Sequence, residues 1–258
     1  MPLDLLHRPN KRAPNPRGIF DVVDPSWHGI GARFRRERPG PEAELVRAFL
    51  NNFPLIGKRG YRLTLFQEPR LLSGFPDLVA VQWHEPTAMR WTEQRAGISI
   101  DDLRIVHVLA TTGPIAEDRL ESVFRTRVLK NLQRLHSAGL IVNQGGFWRL
   151  VSLRRAYAVR RIIAFEAKIS DWRSAIEQAS LNRWFASETY VLLPSVPQEI
   201  TLETAKRSQV GIWVLGTAKP LLKSQDTAAH QPVSFASWLF NEWVWRSAKN
   251  LKKQGTQR

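Results

Sequence analysis

The first part of the chain has two patterns of apolar residues, one with helical spacing and one of short apolar runs typical of strands. The stretch PEAELVRAFLNNF places Leu45, Phe49 and Leu50 on one helical stripe, after a proline and an acidic first turn. YRLTLF (61–66) and FPDLVAVQW (75–83) are short runs rich in β-branched and aromatic residues, with a turn-like LLSG between them. The pattern predicts a helix followed by an antiparallel hairpin.

Residues 86–152 have a different pattern, which predicts a small α+β domain. ISIDDLRIVHVLATTG, AEDRLESVF and TRVLKNLQRLHSAGL each have helical spacing, and IVNQGGFWRLV has two strand-like runs around a Gly-Gly turn. Three helices and a hairpin resemble a winged helix-turn-helix. In that resemblance the third helix faces a DNA groove and NQGG forms the turn at the end of the wing. Winged helices also bind proteins. The residues implied as DNA contacts are Arg125, Arg127, Lys130, Asn131 and Arg134.

The second half returns to strand-like runs separated by helical ones. RIIAFEAKIS (161–170), ETYVLLP (188–194) and GIWVLG (211–216) predict strands, and DWRSAIEQASLNRWFA and ITLETAKRSQV predict helices between them. A β-α-β-α-β order predicts that at least part of the sheet is parallel.

The two ends of the chain differ from this core. We expect residues 1–40 to form a basic, proline-containing arm, which lies on another surface or packs irregularly on the main domain. Residues 221–258 predict a helix that packs by its aromatic face, with a stacking platform for single-stranded nucleic acid as the alternative. The aromatic residues are Trp238, Phe240, Trp243 and Trp245.

The amino-acid composition favours some classes of function and excludes others. The 258 residues include 38 Lys and Arg against 23 Asp and Glu, a net charge of +15, which predicts a field that attracts phosphate backbones. The chain has no cysteine, which excludes disulfides, zinc ribbons and thiol catalysis. Motifs of P-loop ATPases, serine hydrolases and zinc proteases are also missing. Without a long apolar run we expect a soluble cytoplasmic protein, nucleoid-associated if bacterial.

Charged residues interrupt two of the apolar strands. Glu166 and Lys168 lie two residues apart in RIIAFEAKIS, so on a strand they point to the same face. Burying such groups unpaired costs several kcal/mol, so they form an ion pair at the sheet edge or face a site where a cation and an anionic substrate satisfy them. Asp77, which follows Pro76 in GFPDLVAV, is likewise the only charge in its run. Singly, such residues are most often turn, surface or edge residues.

Together these residues resemble the PD-(D/E)xK nuclease superfamily, since "PD" precedes one apolar strand and "EAK" ends another. The resemblance implies an α/β fold with a restriction-endonuclease-like mixed sheet flanked by helices, interrupted by the winged-helix-like domain. The 88 residues between Asp77 and Glu166 contain that domain. The expected organisation is an arm (1–40), a nuclease core in two parts (41–85 and 153–220), an inserted domain (86–152), and a C-terminal aromatic helix with a basic tail (221–258).

The resemblance also implies site residues. Asp77 and Glu166, with the backbone carbonyl of Ala167, are implied as ligands of Mg²⁺, with Mn²⁺ as an alternative ion. Glu44 is implied as a further ligand, directly or through water, and Glu42 replaces it if the register is shifted. Lys168 is implied to orient the attacking water and offset developing charge. Gln178 is implied to contact DNA or the active site, and Asn182 stands where the family usually has an aromatic residue.

The leading hypothesis is therefore a Mg²⁺-dependent endodeoxyribonuclease whose inserted domain helps to bind duplex or branched DNA. One alternative is a non-catalytic DNA-binding or scaffold protein on the same fold. Another is a subunit of a larger nucleic-acid-processing assembly, in transposition or defence, in which the inserted domain binds protein. A homodimer is compatible with each hypothesis, and none of them requires a membrane.

Overall fold

The computed structural model describes residues 20–35, 39–54, 59–72, 74–124, 128–226, 232 and 234–255. No helix within these ranges is both long enough and apolar enough to cross a membrane. The strands of the described ranges are β1 (Asp21–Val22), β2 (Tyr61–Gln67), β3 (Leu78–His84), β4 (Ile115–Ala116), β5 (Ile141–Gln144), β6 (Phe147–Leu150), β7 (Val159–Ala167), β8 (Glu188–Leu193) and β9 (Gly211–Val214). The helices are α1 (Pro41–Asn51), α2 (Glu85–Ala88), α3 (Ile100–Thr112), α4 (Glu117–Phe124), α5 (Val128–Ser137), α6 (Leu153–Ala156), α7 (Trp172–Leu181), α8 (Glu199–Arg207) and α9 (Phe235–Gly255), with 3₁₀ turns at Glu93–Gly97 and Asn182–Trp184.

A mixed six-stranded sheet forms the centre of the molecule, in the order β1-β2-β3-β7-β8-β9. β2 and β3 form the predicted antiparallel hairpin, and β3 is also antiparallel to β7. β7, β8 and β9 run parallel, as their alternation with α7 and α8 predicts. The α/β class and the partly parallel sheet are thus confirmed.

Helices cover both faces of this sheet because its central strands are apolar on both sides. Leu45 and Phe49 of α1 pack against one face, where Phe165 of β7 contributes its side chain. The next residue along β7, Ala164, faces the opposite side and packs in a core that includes α9. Alternation along β7 therefore directs Glu166 to the same face as Ala164, away from the α1 core.

The segment between β3 and β7 forms a second, smaller unit. α3, α4 and α5 pack with a three-stranded sheet of order β4-β6-β5. The three helices and the hairpin are as predicted, whereas β4 has only two residues and is too short to give an alternating pattern. One continuous apolar core includes residues of this unit, such as Leu103 and Leu132, together with Trp238 and Trp243 of α9.

Four aromatic residues of α9 are interior residues. Trp238, Phe240 and Trp243 have no exposed surface, and Trp245 is 1% exposed. The prediction that this helix packs by its aromatic side chains is confirmed, and the alternative of a stacking platform is wrong, because stacking needs exposed rings.

The described part of the N-terminal arm packs on the main domain. Val23, Ile30 and Ala32 are buried, and the indole Nε1 of Trp243 donates a hydrogen bond of 2.7 Å to the carbonyl of Ile30. Residues 20–35 therefore pack on the main domain, as the second interpretation of the arm has it, but the segment is not wholly irregular, because β1 joins the edge of the central sheet. Residues 1–19 and 36–38, which carry much of the predicted basic character, lie outside the described residues.

Candidate active site

The register of the central strands places Asp77 beside Glu166. Leu78 of β3 lies opposite Phe165 of β7, so one step further along the antiparallel pair Asp77 lies opposite Glu166. Residues directly opposite in an antiparallel pair project their side chains to the same face. The backbone N–H of Ala167 donates to Asp77 Oδ2 at 2.7 Å and fixes this carboxylate at the strand end. The structure thus brings together two residues that are 89 positions apart.

A third carboxylate, that of Glu68, continues the same row. Gln67 of β2 lies opposite Leu78, and the next pair is Glu68 with Asp77, whose backbone carbonyl accepts the Glu68 N–H at 3.1 Å. Glu68 has a φ of 46°, in the left-handed region that residues other than glycine seldom adopt. Such strained backbone is concentrated at functional sites. Sequence reasoning missed Glu68, although its place directly after an apolar strand is a usable signal.

These carboxylates line a cavity of about 550 Å³ between the start of α1 and the end of α7. α1 contributes its first turns, including Glu42, while α7 and the following 3₁₀ turn contribute Gln178 and Asn182. Among the described residues, the charged ones that line the cavity are Arg35, Glu42, Glu68, Asp77, Glu166 and Lys168.

Burial makes the two central carboxylates hard to ionise. Desolvation, with a further contribution from the negative charge of Asp77, raises the pKa of Glu166 to about 8, although the Asn182 hydrogen bond and the charges of Lys168 and Arg35 oppose the shift. Desolvation likewise raises the pKa of Asp77 to about 6, although the Ala167 N–H and the cationic side chains oppose the shift. Carboxylates with pKa values near neutrality in a cavity are typical of functional sites.

Lys168 lies just beyond β7 rather than within it. Its N–H donates to the carbonyl of Leu192 at 3.1 Å, and its Nζ lies 3.0 Å from Glu42 Oε1. The side chain is 22% exposed, and its charge acts on both Asp77 and Glu166. The side chains of Glu166 and Lys168 therefore serve one cavity, as their spacing suggests.

The α1 carboxylate at the cavity is that of Glu42. Glu44 is exposed and does not line the cavity, because two residues along a helix turn the side chain to another face. The placement of Glu44 at the site is therefore corrected to Glu42, the residue expected for a shifted register.

Asn182 contacts Glu166 directly. Its Nδ2 donates to Glu166 Oε1 at 2.6 Å, and the side chain is only 3% exposed. Sequence reasoning noted Asn182 only as a departure from a family pattern and missed its role as a partner of Glu166. Gln178, one turn earlier, is exposed on the cavity wall.

Arg35 is the second site residue that sequence reasoning missed. Its guanidinium pairs with Glu68 and lies 4.0 Å from Asp77 Oδ1. The only sequence signal is its place in the basic run RFRRERP, which does not distinguish it from its neighbours.

The residues implied as DNA contacts in the smaller unit differ in their exposure and in their contacts. Arg125 and Arg127 lie outside the described residues. Lys130 is exposed on α5. Arg134 binds the buried Asp102 through Nε at 2.6 Å and also donates to Asn131 Oδ1 at 2.9 Å. The guanidinium of Arg134 thus links α5 to the start of α3 within the unit.

The donor set suits a hard divalent cation. Asp77 and Glu166 present carboxylate oxygens, the ligands that Mg²⁺ prefers, and a bound cation would relieve the desolvation that raises their pKa values. In the part of the chain that the structure describes, no cluster of three or more His, Cys, Asp or Glu residues has metal-binding geometry. The protein would therefore supply two carboxylates, and water and substrate would complete the shell, which is usual for Mg²⁺.

Comparison with known proteins identifies no relative: no family model matches the chain, and neither the curated proteins nor the solved structures give a significant match.

Proposed function

We propose that the protein is a Mg²⁺-dependent endonuclease that hydrolyses DNA phosphodiester bonds on a restriction-endonuclease-like core. The observation that carries the proposal is the pairing of Asp77 with Glu166 across β3 and β7, in a cavity that Lys168 also lines. The carboxylates and the amine come from separate segments, and the order of these segments follows the superfamily motif.

Each residue has a defined task in this proposal. Hydrolysis joins a water oxygen to phosphorus and breaks a bond from phosphorus to a sugar oxygen, which leaves with a proton. Asp77 and Glu166 would hold the ion, with the Ala167 carbonyl as the further ligand that the resemblance implies. The ion would neutralise phosphate charge and acidify a bound water. Lys168 would orient the attacking water and stabilise negative charge that develops on the phosphate.

The smaller unit would bind the DNA as a winged-helix-like domain. Lys130 on α5 is exposed, as are Gly145 and Gly146 at the β5–β6 turn, in the places where such a domain uses its recognition helix and its wing. A chain with a net charge of +15 would add sequence-independent attraction to the phosphate backbone.

One observation supports the alternative that this unit binds protein. Val123, Leu129 and Phe147 are 60%, 46% and 51% exposed, although all three are large apolar residues. Exposed apolar side chains mark protein contacts when they form a patch. Membership of a larger nucleic-acid-processing assembly is therefore the second candidate function, and it predicts that a partner protein covers these three residues.

A cleavage panel tests the leading proposal. The full-length chain would be incubated with single-stranded, duplex and branched DNA and with RNA, in Mg²⁺ and in a chelator. We expect Mg²⁺-dependent cleavage of DNA that is lost in Asp77→Ala, Glu166→Ala and Lys168→Ala. Glu203→Ala, which removes an exposed carboxylate on α8, serves as the control.

Three results would separate the hypotheses. Cleavage that persists unchanged in all three variants would exclude this site as its source. DNA binding without cleavage, indifferent to Mg²⁺ and to the three substitutions, would favour the scaffold alternative. Cleavage that appears only with a copurified protein would favour the assembly.

A further inference from the structure

The backbone around Arg35 is fixed against the site. Phe34 and Pro69 form an antiparallel bridge. On either side of it, the Arg35 N–H donates to the Glu68 carbonyl at 3.1 Å and the Arg70 N–H donates to the Arg33 carbonyl at 2.8 Å. This pairing fixes the backbone of Arg35 beside the cavity.

The guanidinium of Arg35 lies between two carboxylates. It pairs with Glu68, lies 4.0 Å from Asp77 Oδ1, and stacks 5.3 Å above the Phe75 ring. At 38% exposure it remains accessible from the cavity. The left-handed backbone conformation of Glu68 directs its side chain to this position. The local fold therefore brings Arg35 and Glu68 together.

The guanidinium of Arg35 occupies the Glu68 side of the row of carboxylates. In two-metal phosphoryl-transfer sites, two cations lie about 3.5–4 Å apart and share carboxylate ligands. Glu68, Asp77 and Glu166 form a row across β2, β3 and β7, with Asp77 in the middle, so a second ion that shared Asp77 would have to bind on the Glu68 side. Arg35 already neutralises one end of the row.

The charges of the described lining residues agree with a single ion. When ionised, the carboxylates of Glu42, Glu68, Asp77 and Glu166 face only the two cationic side chains of Arg35 and Lys168 among the lining residues described. The net charge of −2 is neutralised by one divalent ion. Without Arg35 the net charge would be −3, and Glu68 would lack its cationic partner.

We propose that Arg35 acts as a built-in second cation, which limits the site to one divalent ion held by Asp77 and Glu166. This inference rests on the proposed function, since it assigns the ion stoichiometry of the same site. It makes Arg35 a positioning residue that substitutes for a metal ion on the Glu68 side of the cavity.

The proposal is tested by counting the Mn²⁺ ions that bind to the full-length chain. Calorimetry measures the bound ions, and the electron paramagnetic resonance signal measures the Mn²⁺ that remains free. We expect one ion in the wild type, two in Arg35→Met, and one again in the double variant Arg35→Met with Glu68→Gln. Arg35→Lys, which keeps the charge, and Arg33→Met, which removes an exposed neighbouring arginine, should both bind one ion.

The outcomes separate this inference from the proposed function. Two ions in the wild type, or a folded Arg35→Met variant that still binds one, would overturn the role of Arg35 and leave the nuclease proposal intact. A wild type that binds no Mn²⁺ at millimolar concentration would overturn both. Should Arg35→Met lose its native circular dichroism spectrum, Arg35→Gln replaces it, since its amide can still donate a hydrogen bond to Glu68 but carries no charge.

Discussion

At the scale of single residues, the cavity holds its carboxylates in a state that favours cation binding. Desolvation raises the pKa of both Asp77 and Glu166, and the charge of Asp77 adds to the shift of Glu166. Hydrogen bonds from Ala167 and Asn182 orient one oxygen of each carboxylate. The cavity is therefore pre-organised for a ligand that brings positive charge.

The hydrogen bond from Asn182 to Glu166 should control metal affinity. Partners of metal-ligating carboxylates typically contribute about 10- to 100-fold in affinity, so Asn182→Ala should weaken Mn²⁺ binding by that factor. Calorimetric titration measures the change. Asn143→Ala, on the exposed β5 strand, should leave the affinity unchanged. Equal affinities in the two variants would mean that Asn182 acts only in packing.

The raised pKa values predict a pH dependence with a definite sign. The pKa of Glu166 is about 8 in the folded chain against an ordinary value of 4.5, so between these values the native state binds more protons than the unfolded state. The stability of the metal-free protein should therefore fall as pH rises from about 5 to about 8, while Mn²⁺ affinity rises over the same window.

Thermal unfolding across this pH range, with and without Mn²⁺, provides the measurement. In Glu166→Gln the fall in stability should be much smaller, because the substituted amide does not titrate in this range. A metal-free wild type whose stability rises from about pH 5 to about pH 8 would contradict the electrostatic description of the site.

At the scale of secondary-structure elements, α9 joins the two units through a buried ion pair. Arg95 and Glu242 are 1% and 0% exposed, with Arg95 Nη2 at 2.6 Å from Glu242 Oε1. Arg95 also donates to the Ala156 carbonyl at 2.8 Å and lies 3.4 Å from the centre of the Trp91 ring. The pair therefore connects α9 to both segments that flank the smaller unit.

Glu242→Ala should be strongly destabilising. Removing one partner of a buried pair leaves an uncompensated charge, at a cost of about 3–5 kcal/mol. Urea unfolding of the variant measures the loss. Asp101→Ala, which breaks an exposed pair with Arg104, should change the free energy of unfolding by less than about 1 kcal/mol. Similar losses in the two variants would contradict the role assigned to the buried pair.

The elements differ in how far the sequence predicts them. α1, the β2–β3 hairpin and the β7–α7–β8–α8–β9 series follow from local periodicity, and their bounds differ from the predicted ones by a few residues. Register, which aligns Glu68 with Asp77 and Glu166, depends on pairing between distant strands. Arg35 and Glu242 act through partners far along the chain, so no local pattern could distinguish them from surface charges.

At the scale of the whole molecule, the basic side chains proposed to bind DNA are of two kinds. Some are exposed to solvent, and others form ion pairs or hydrogen bonds within the protein. Lys130 is exposed on α5, whereas Arg134 is held by Asp102 and Asn131. The winged-helix resemblance implied both as DNA contacts, because a local pattern cannot show that Asp102, 32 positions away, pairs with Arg134.

Lys130→Ala should weaken DNA binding by removing a phosphate contact. The slope of log affinity against log salt should decrease by about 1, with little change in stability. Arg134→Ala should instead lower the free energy of unfolding, because Asp102 loses its partner. Binding across a salt series, with Lys206→Ala on α8 as the control, distinguishes these effects. An unchanged salt slope in Lys130→Ala would place the DNA elsewhere.

The central claim, metal-dependent DNA hydrolysis at the Asp77–Glu166 pair, is tested most directly by comparing wild type and Asp77→Asn on supercoiled plasmid DNA across a Mg²⁺ titration. The account predicts that the wild type nicks or linearises the plasmid only when Mg²⁺ is present. The isosteric variant should be slower by a factor on the order of 1,000, with unchanged DNA affinity. Equal cleavage rates for the two proteins at every Mg²⁺ concentration would contradict it.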